Sequence, residues 1–247
     1  MTAGTELRSV VARWRQDLDR YVYLDSDHQD PRGPVRAVVR TFLANPGLQA
    51  TTVYRLAQCG QVLRAAGGRR PLRIAARLMG RVLGLAQPVL AVATDILTGI
   101  RIDPAARIGG GLYIGHSGGI VIGPARIGSN CNIAHGVTIG SDGIHRDAQP
   151  VIGDRVLIAA GAKVFGRLHL GDDVMVGANS VLTKSVPARQ VVLGIPAVRV
   201  NDRGAFAYVL YRDCETDPRR LTAQASALLN QQPTVTVPVT NARGRAR

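Results

Sequence analysis

Several things are scarce in this chain. Aromatic residues make up 4% of the 247 residues, and there is one tryptophan. A nucleic-acid-binding surface that stacks bases needs interleaved aromatics, and no binding motif for nucleic acid is visible, so nucleic acid is not an expected partner. Cysteine occurs three times, at Cys59, Cys131 and Cys214, never as a C-x-x-C pair. That excludes a disulfide framework or a zinc ribbon and fits a reducing compartment. The first residues, MTAGTELRSVVARWRQDLD, are polar and charged from the start, unlike a secretion signal. The most apolar window, Val82 to Leu97, is shorter than a bilayer span and carries Gln87, Pro88 and Asp95, so stable membrane insertion is not expected. Together these point to a cytoplasmic protein.

Charge of one sign is also scarce. No carboxylate stands between Asp30 and Asp95, yet ten arginines do. Lysine occurs only at Lys163 and Lys184, and the net charge is +14. Such a field attracts anions: phosphate-bearing small molecules, an acidic protein or a membrane surface. With 46% hydrophobic and 19% charged residues the chain is otherwise an ordinary globular one, long enough for one large domain or two small ones.

What is present divides the chain in three. Residues 1–98 read as α-helical. Leu72, Ala75, Ala76, Met79, Val82 and Leu83 recur at helical spacing, with Arg70, Arg73, Arg77 and Arg81 on the other face. Pro31, Pro34, Asn45-Pro46-Gly47 and Gly67-Gly68 are expected to break this region into several short helices. The arginine-bearing helix suits either a membrane surface or, more commonly, packing against a neighbour.

Residues 99–200 follow another rule. Aliphatic residues stand at 102, 108, 114 and 120, then 127, 133 and 139, then 152, 158, 164, 170, 176 and 182. The step is six. A helix repeats at 3.6 and a strand at two, so six is one flat side of a three-sided parallel β-coil, with 18 residues per turn. The reading is a mainly β fold of four to five coils behind a helical front. One residue is inserted between Ile120 and Ile127, and the stretch Gly140–Pro150 must leave the coil as a loop. From 201 the chain is less regular: Thr234–Thr240 reads as a strand, and the last seven residues as disordered.

The histidines carry the chemistry. His116 and His135 both occupy the third place of their hexapeptides and lie 19 residues apart, one turn plus the insertion. They are expected side by side in adjacent coils, about 4.8 Å apart along the axis. An imidazole there can act as general base on an alcohol. His145 lies in the loop, able to swing over the same face. His28 and His169 read as surface residues. The γ-class carbonic anhydrases, which hold zinc between subunits of such a coil, carry two histidines five apart; no His-x4-His occurs here, and no metal is expected.

The stretch Ile102-Asp-Pro-Ala-Ala-Arg-Ile-Gly-Gly-Gly-Leu-Tyr-Ile-Gly-His116-Ser-Gly-Gly-Ile-Val-Ile-Gly resembles the hexapeptide-repeat acyltransferases, most closely their serine O-acetyltransferase branch. So do His135-Gly-Val-Thr-Ile-Gly140, Pro150-Val-Ile-Gly-Asp, the run from Gly177 to Pro187, Gly194-Ile-Pro-Ala and the helical segment Asn45–Ala57. The resemblance spans roughly residues 35–200. It implies a left-handed coil and an O-acyltransferase using acetyl-CoA or another acyl-CoA, with His116 as base and His135 assisting. It implies that Ala160 and Ala178 meet the pantetheine arm, that Thr183 and Lys184 lie near the nucleotide, and that His145 and Gln149 lie near the acceptor. It also implies a site between subunits of a homotrimer, or of a hexamer paired through the helical segment.

The departures are specific. Gly115 replaces the aspartate before the histidine, and Arg101 replaces another about fifteen residues earlier, with Asp103 as a substitute. Arg36 stands for a third. Ala148-Gln149 replaces Arg-His before the loop proline, and Arg247 replaces a terminal isoleucine. The resulting expectation is a small-molecule acceptor other than free serine, such as a sugar. Serine itself, an acidic acyl-carrier protein as donor, and a silent trimeric scaffold are the alternatives.

Overall fold

The computed structural model describes residues 3–24, 34–67, 70–143 and 148–229. His28, His145 and the strand expected at 234–240 lie outside these.

Four helices lead: α1 (Ala3–Leu24), α2 (Pro34–Ala44), α3 (Pro46–Arg64) and α4 (Arg70–Thr98). In α1 the buried residues Val10, Asp17, Arg20 and Tyr21 fall on one face at i, i+7, i+10 and i+11. α3 opens with Pro46, whose fixed φ suits the first turn. The expectation of short helices fails at α4, which runs for 29 residues straight through Pro88. Gly60, Gly80 and Gly84 allow α3 and α4 to cross closely: a Cβ on Gly80 would meet the Arg64 backbone nitrogen at 2.7 Å.

From Ile100 the chain winds as a left-handed triangular coil of short parallel strands. Face 1 holds the strands beginning at Ile100, Ile120, Thr138, Lys163 and Val181. Face 2 holds those beginning at Arg107, Arg126, Val151 and His169. Face 3 holds those beginning at Tyr113, Asn132, Leu157, Met175 and Val191, closed by an antiparallel strand, Ala197–Asn201. The six-residue rhythm becomes three stacked ladders of aliphatic side chains. They are Ile102–Ile122–Ile139–Val164–Leu182, Ile108–Ile127–Ile152–Leu170–Val186 and Ile114–Ile133–Ile158–Val176–Val192. All but Ile102 are buried, and together they form the main core.

One detail of register differs from the count of sixes. Ile102 pairs with Ile122, not Ile120, so this turn is two residues longer, and the next, Ile122 to Ile139, is one residue shorter. The extra length lies at His116–Gly119, not between Ile120 and Ile127. His116, Gly118 and Gly119 all take positive φ (62°, 110° and 66°), which makes this a wide corner.

Beyond Asn201 the described residues are less regular than the coil, as the sequence implies. A turn-rich segment packs Ala205, Val209, Tyr211 and Cys214 together, and a fifth helix, α5 (Pro218–Leu229), follows. Arg220 of α5 is buried and donates to the carbonyls of Val209 and Phe206.

Candidate active site

The site is built on the corner between faces 3 and 1. The chain leaves face 3 after Gly115, Ala134, Ile158 and Val176 and enters face 1 four coils in succession. At this corner stand His116, His135, Ala160 and Ala178, one above another. Backbone bonds fix the stack: Gly136 N donates to Gly118 O (2.9 Å), Gly161 N to His135 O (2.8 Å) and Asn179 N to Ala160 O (2.8 Å).

Both imidazoles point outward and are exposed. Their ring centroids are 6.0 Å apart with the planes at 74°. This adjacency follows from Ile114 pairing with Ile133 and Gly115 with Ala134. Around them the corner is stripped of side chains: Gly118, Gly119, Gly136 and Gly161 line it, and Gly136 approaches the Gly161 backbone closely. An extended chain molecule can therefore lie against bare peptide groups, with room that no side chain takes.

Three buried anchors hold the strand that carries His116. Tyr21 of α1 accepts from Ile114 N at 2.8 Å and donates to Ile114 O at 3.3 Å. Gly47 of α3 touches the same residue, and a Cβ there would collide with Ile114. Asp17 accepts from Leu112 N (2.9 Å) and pairs with Arg55 (2.8 Å), and Arg55 in turn donates to Ile108 O (2.9 Å). Burial pushes the Asp17 carboxyl above the usual carboxylate range against the pull of Arg55. Burial also lowers the Arg20 guanidinium to about 10, which leaves it charged at neutral pH.

The outward side of face 1 begins at this corner. Its row reads Arg101, Val121, Thr138, Lys163, Val181 by register. Lys163 reaches back one coil and donates to Gly136 O (2.6 Å) and Thr138 Oγ1 (3.0 Å). Its ammonium thus sits beside the histidine corner. The sequence reading missed this role, although the hexad contained it: residues just before the inward Ile139 and Val164 must face outward as neighbours.

The far edge of face 1 carries the remaining candidates. Thr183 and Lys184 are exposed after the last face 1 strand, and half-buried Gln149 ends the loop that leaves after Gly140. They are a full face away from the histidines, at the opposite edge of the same sheet. Arg101 pairs with Asp95 of α4 at 2.7 Å. Asp103 accepts from Ala105 N in its own turn. The carboxylate beside Arg101 is Asp95. A cavity of about 340 Å³ lies between α3, α4 and face 1, lined in part by Tyr54, Asp95, Arg101 and Val121 but by neither histidine. Among the described residues no group of three His, Cys, Asp or Glu side chains is placed to hold a metal ion.

No protein-family model matches the sequence. The serine acetyltransferase of Mycobacterium tuberculosis is 38% identical over 170 residues, 68% of this chain and 66% of that protein. The serine acetyltransferase of Staphylococcus xylosus is 48% identical over 118 residues, 47% of this chain and 55% of that one. The chain thus spans between about half and two thirds of the length of these curated relatives. Among solved structures, the serine acetyltransferase of Brucella abortus superposes with a TM-score of 0.57 at 30% identity, over 78% of this chain and 70% of that one. Its complex with coenzyme A gives 0.58 at 29% identity, over 78% and 68%. Coil, helical front and sequence agree: the chain belongs to the hexapeptide-repeat acyltransferase family, among the relatives of serine acetyltransferases.

Proposed function

We propose that the protein is an acyl-CoA-dependent O-acetyltransferase that acts on the hydroxyl of a small molecule, with His116 as general base. The observation that carries this reading is the pair of exposed imidazoles, 6.0 Å apart, on a corner lined mostly by glycine and other small residues.

The steps balance as follows. A nitrogen of His116 takes the acceptor's hydroxyl proton while the oxygen attacks the thioester carbonyl. Peptide N–H groups of the corner stabilise the oxyanion. The C–S bond breaks, and the imidazolium returns its proton to the thiolate, leaving an ester and a free thiol. His135 is a polar neighbour that can accept a hydrogen bond from the acceptor or from His116. The pantetheine arm passes Ala160 and Ala178, and the nucleotide end crosses to the far edge of face 1, where Lys184 offsets phosphate charge and Thr183 donates a hydrogen bond. The complex of the Brucella abortus relative with coenzyme A supports this donor. An open column on one protomer is half a groove, which supports a homotrimer whose neighbour supplies the other wall.

Two acceptor readings stand. The relatives' names support L-serine. Gly115 and Arg36, where the family resemblance implies carboxylates that hold serine, support another alcohol, such as a sugar. A thiol-release assay with acetyl-CoA against serine, homoserine and several sugars separates them. Turnover with serine alone removes the second reading, and no thiol release with any acceptor counts against the acetyl donor. Loss of His116 is expected to lower kcat about 10²–10⁴-fold, and unchanged turnover in His116→Ala would overturn the assignment.

A further inference from the structure

The helical front carries a feature that the active-site corner does not use. From Val82 to Leu97, every exposed residue of α4 is uncharged, and nearly all are apolar. Leu85 is 78% exposed, Val89 70% and Ile96 78%. With Leu78 and Val82 they form one stripe along the helix, at steps of three, four and seven residues. The stretch from Arg73 to Thr98 is long and apolar enough to cross a membrane, with a mean hydropathy of 1.3. Yet it is not free to do so. Its other side is built into the protein: Gly80 and Gly84 pack on Arg64 of α3, Gln87, Ala91 and Thr94 line the cavity shared with α3, and Thr98 leads directly into the coil.

Charge supplies the second observation. Arg77 and Arg81 are exposed and lie along one flank of the apolar stripe, by helical rotation. No carboxylate occurs from residue 31 to 94. A helix fixed side-on to a protein body, apolar outward and flanked by arginine, has the arrangement of an interfacial helix at an anionic membrane.

We propose that α4 is a peripheral membrane-docking face, which lays Leu78, Val82, Leu85, Val89 and Ile96 into the headgroup–acyl boundary while Arg77 and Arg81 meet anionic lipid headgroups. A second copy of the chain is the rival occupant. Its matching surface brings the same arginines and no carboxylate to answer them. The one carboxylate in α4, Asp95, is already held by Arg101. Like charges would therefore meet where this face packs on itself across a two-fold axis, whereas a phosphatidylglycerol surface complements both the charge and the apolar stripe.

The test is co-sedimentation of the full chain with phosphatidylcholine vesicles, with and without phosphatidylglycerol. Binding is expected to the phosphatidylglycerol vesicles and to weaken as salt is raised. Leu85→Glu/Val89→Glu changes two exposed positions and is expected to weaken partitioning roughly a hundredfold with an unchanged circular dichroism spectrum. Arg77→Gln/Arg81→Gln, which leaves the apolar stripe intact, is expected to remove the preference for anionic lipid. Absence of binding by the wild-type chain overturns the proposal, as does equal binding by either variant. Light scattering gives the rival its outcome: a smaller mass for Leu85→Glu/Val89→Glu, with no vesicle binding by the wild type, assigns the face to a second copy. None of these readouts involves acetyl transfer.

Discussion

Two corners of the prism use the left-handed backbone at each turn, and they fill it with opposite chemistry. Between faces 2 and 3 the positive-φ positions are Gly111, Asn130, Arg155, Asp173 and Arg189. There the side chains tie the coils together. Asp154 accepts from Ser129 N, Asp172 accepts from Asp154 N, and the buried Arg155 and Asp173 pair at 2.8 Å. Between faces 3 and 1 the corresponding positions are mostly glycine, and the one exposed non-glycine of the first turn is His116. The first corner is crosslinked by side chains along its length. The second gives up those crosslinks for access to the backbone and to two imidazoles. The contrast shows how one repeat divides its labour: stability on one edge and chemistry on another, with the same inward aliphatic ladder behind both.

The sharpest way to break this contrast is to exchange roles at a single residue. His116→Gly removes the base and also the strain of a left-handed L-residue. Turnover is expected to fall by about 10²–10⁴-fold while the thermal midpoint stays the same or rises slightly. A parallel fall in both would tie the imidazole to the fold. Next in size is the anchor under the corner. Arg55→Ala leaves Asp17 buried without its partner and should cost about 3–5 kcal/mol in denaturant unfolding. Asp173→Ala at the crosslinked corner leaves Arg155 with only the more distant Asp172, at 3.5 Å. A loss of about 2–3 kcal/mol is expected there, with kcat per folded enzyme unchanged; an altered kcat would mean that the two edges are not independent. Gly136→Ala at the open corner should cost about 1–2 kcal/mol through its positive φ and raise KM for acetyl-CoA, because its methyl group enters the bare column.

The smallest effect lies at α5, where Asp217 accepts from Arg219 N (2.9 Å) and from the Tyr211 hydroxyl (2.6 Å). These bonds hold its carboxyl below the usual value of 3.8. A lowered folded-state pKa stabilises above the unfolded value and is lost as pH falls through the folded one. Removal of the cap in Asp217→Ala should therefore cost at most about 1 kcal/mol at neutral pH, and the difference from wild type should shrink as the pH falls through the lowered folded-state value. A difference that persists in acid would move the stabilisation elsewhere.

The coil was legible because its signal is local and repeated: nearly every inward aliphatic residue stands six from the next, so the positions together report one geometry. The widened corner was not. Ile120 is as buried as Ile122, so either residue satisfies the count, and only strand pairing shows that Ile122 continues the ladder. The adjacency of His116 and His135 survived this error because their separation, 19 residues, also separates Ile114 from Ile133. The anchors Asp17, Arg20, Arg55 and Tyr21 gave no signal. A buried charge reads in sequence like a solvated one, and their partners lie from 38 to 190 positions away. The length of α4 was misjudged for a different reason. Tertiary support from α3 on one side carries a helix past a proline that would end an isolated one.

Arg20 has one more consequence, for the order in which the molecule is made. Its guanidinium grips carbonyls from Gly111, Cys131 and Leu210 at once, so the first helix cannot finish docking until residue 210 has been synthesised. Until then the buried guanidinium lacks one of its carbonyls, and the segment around Leu210 completes the set.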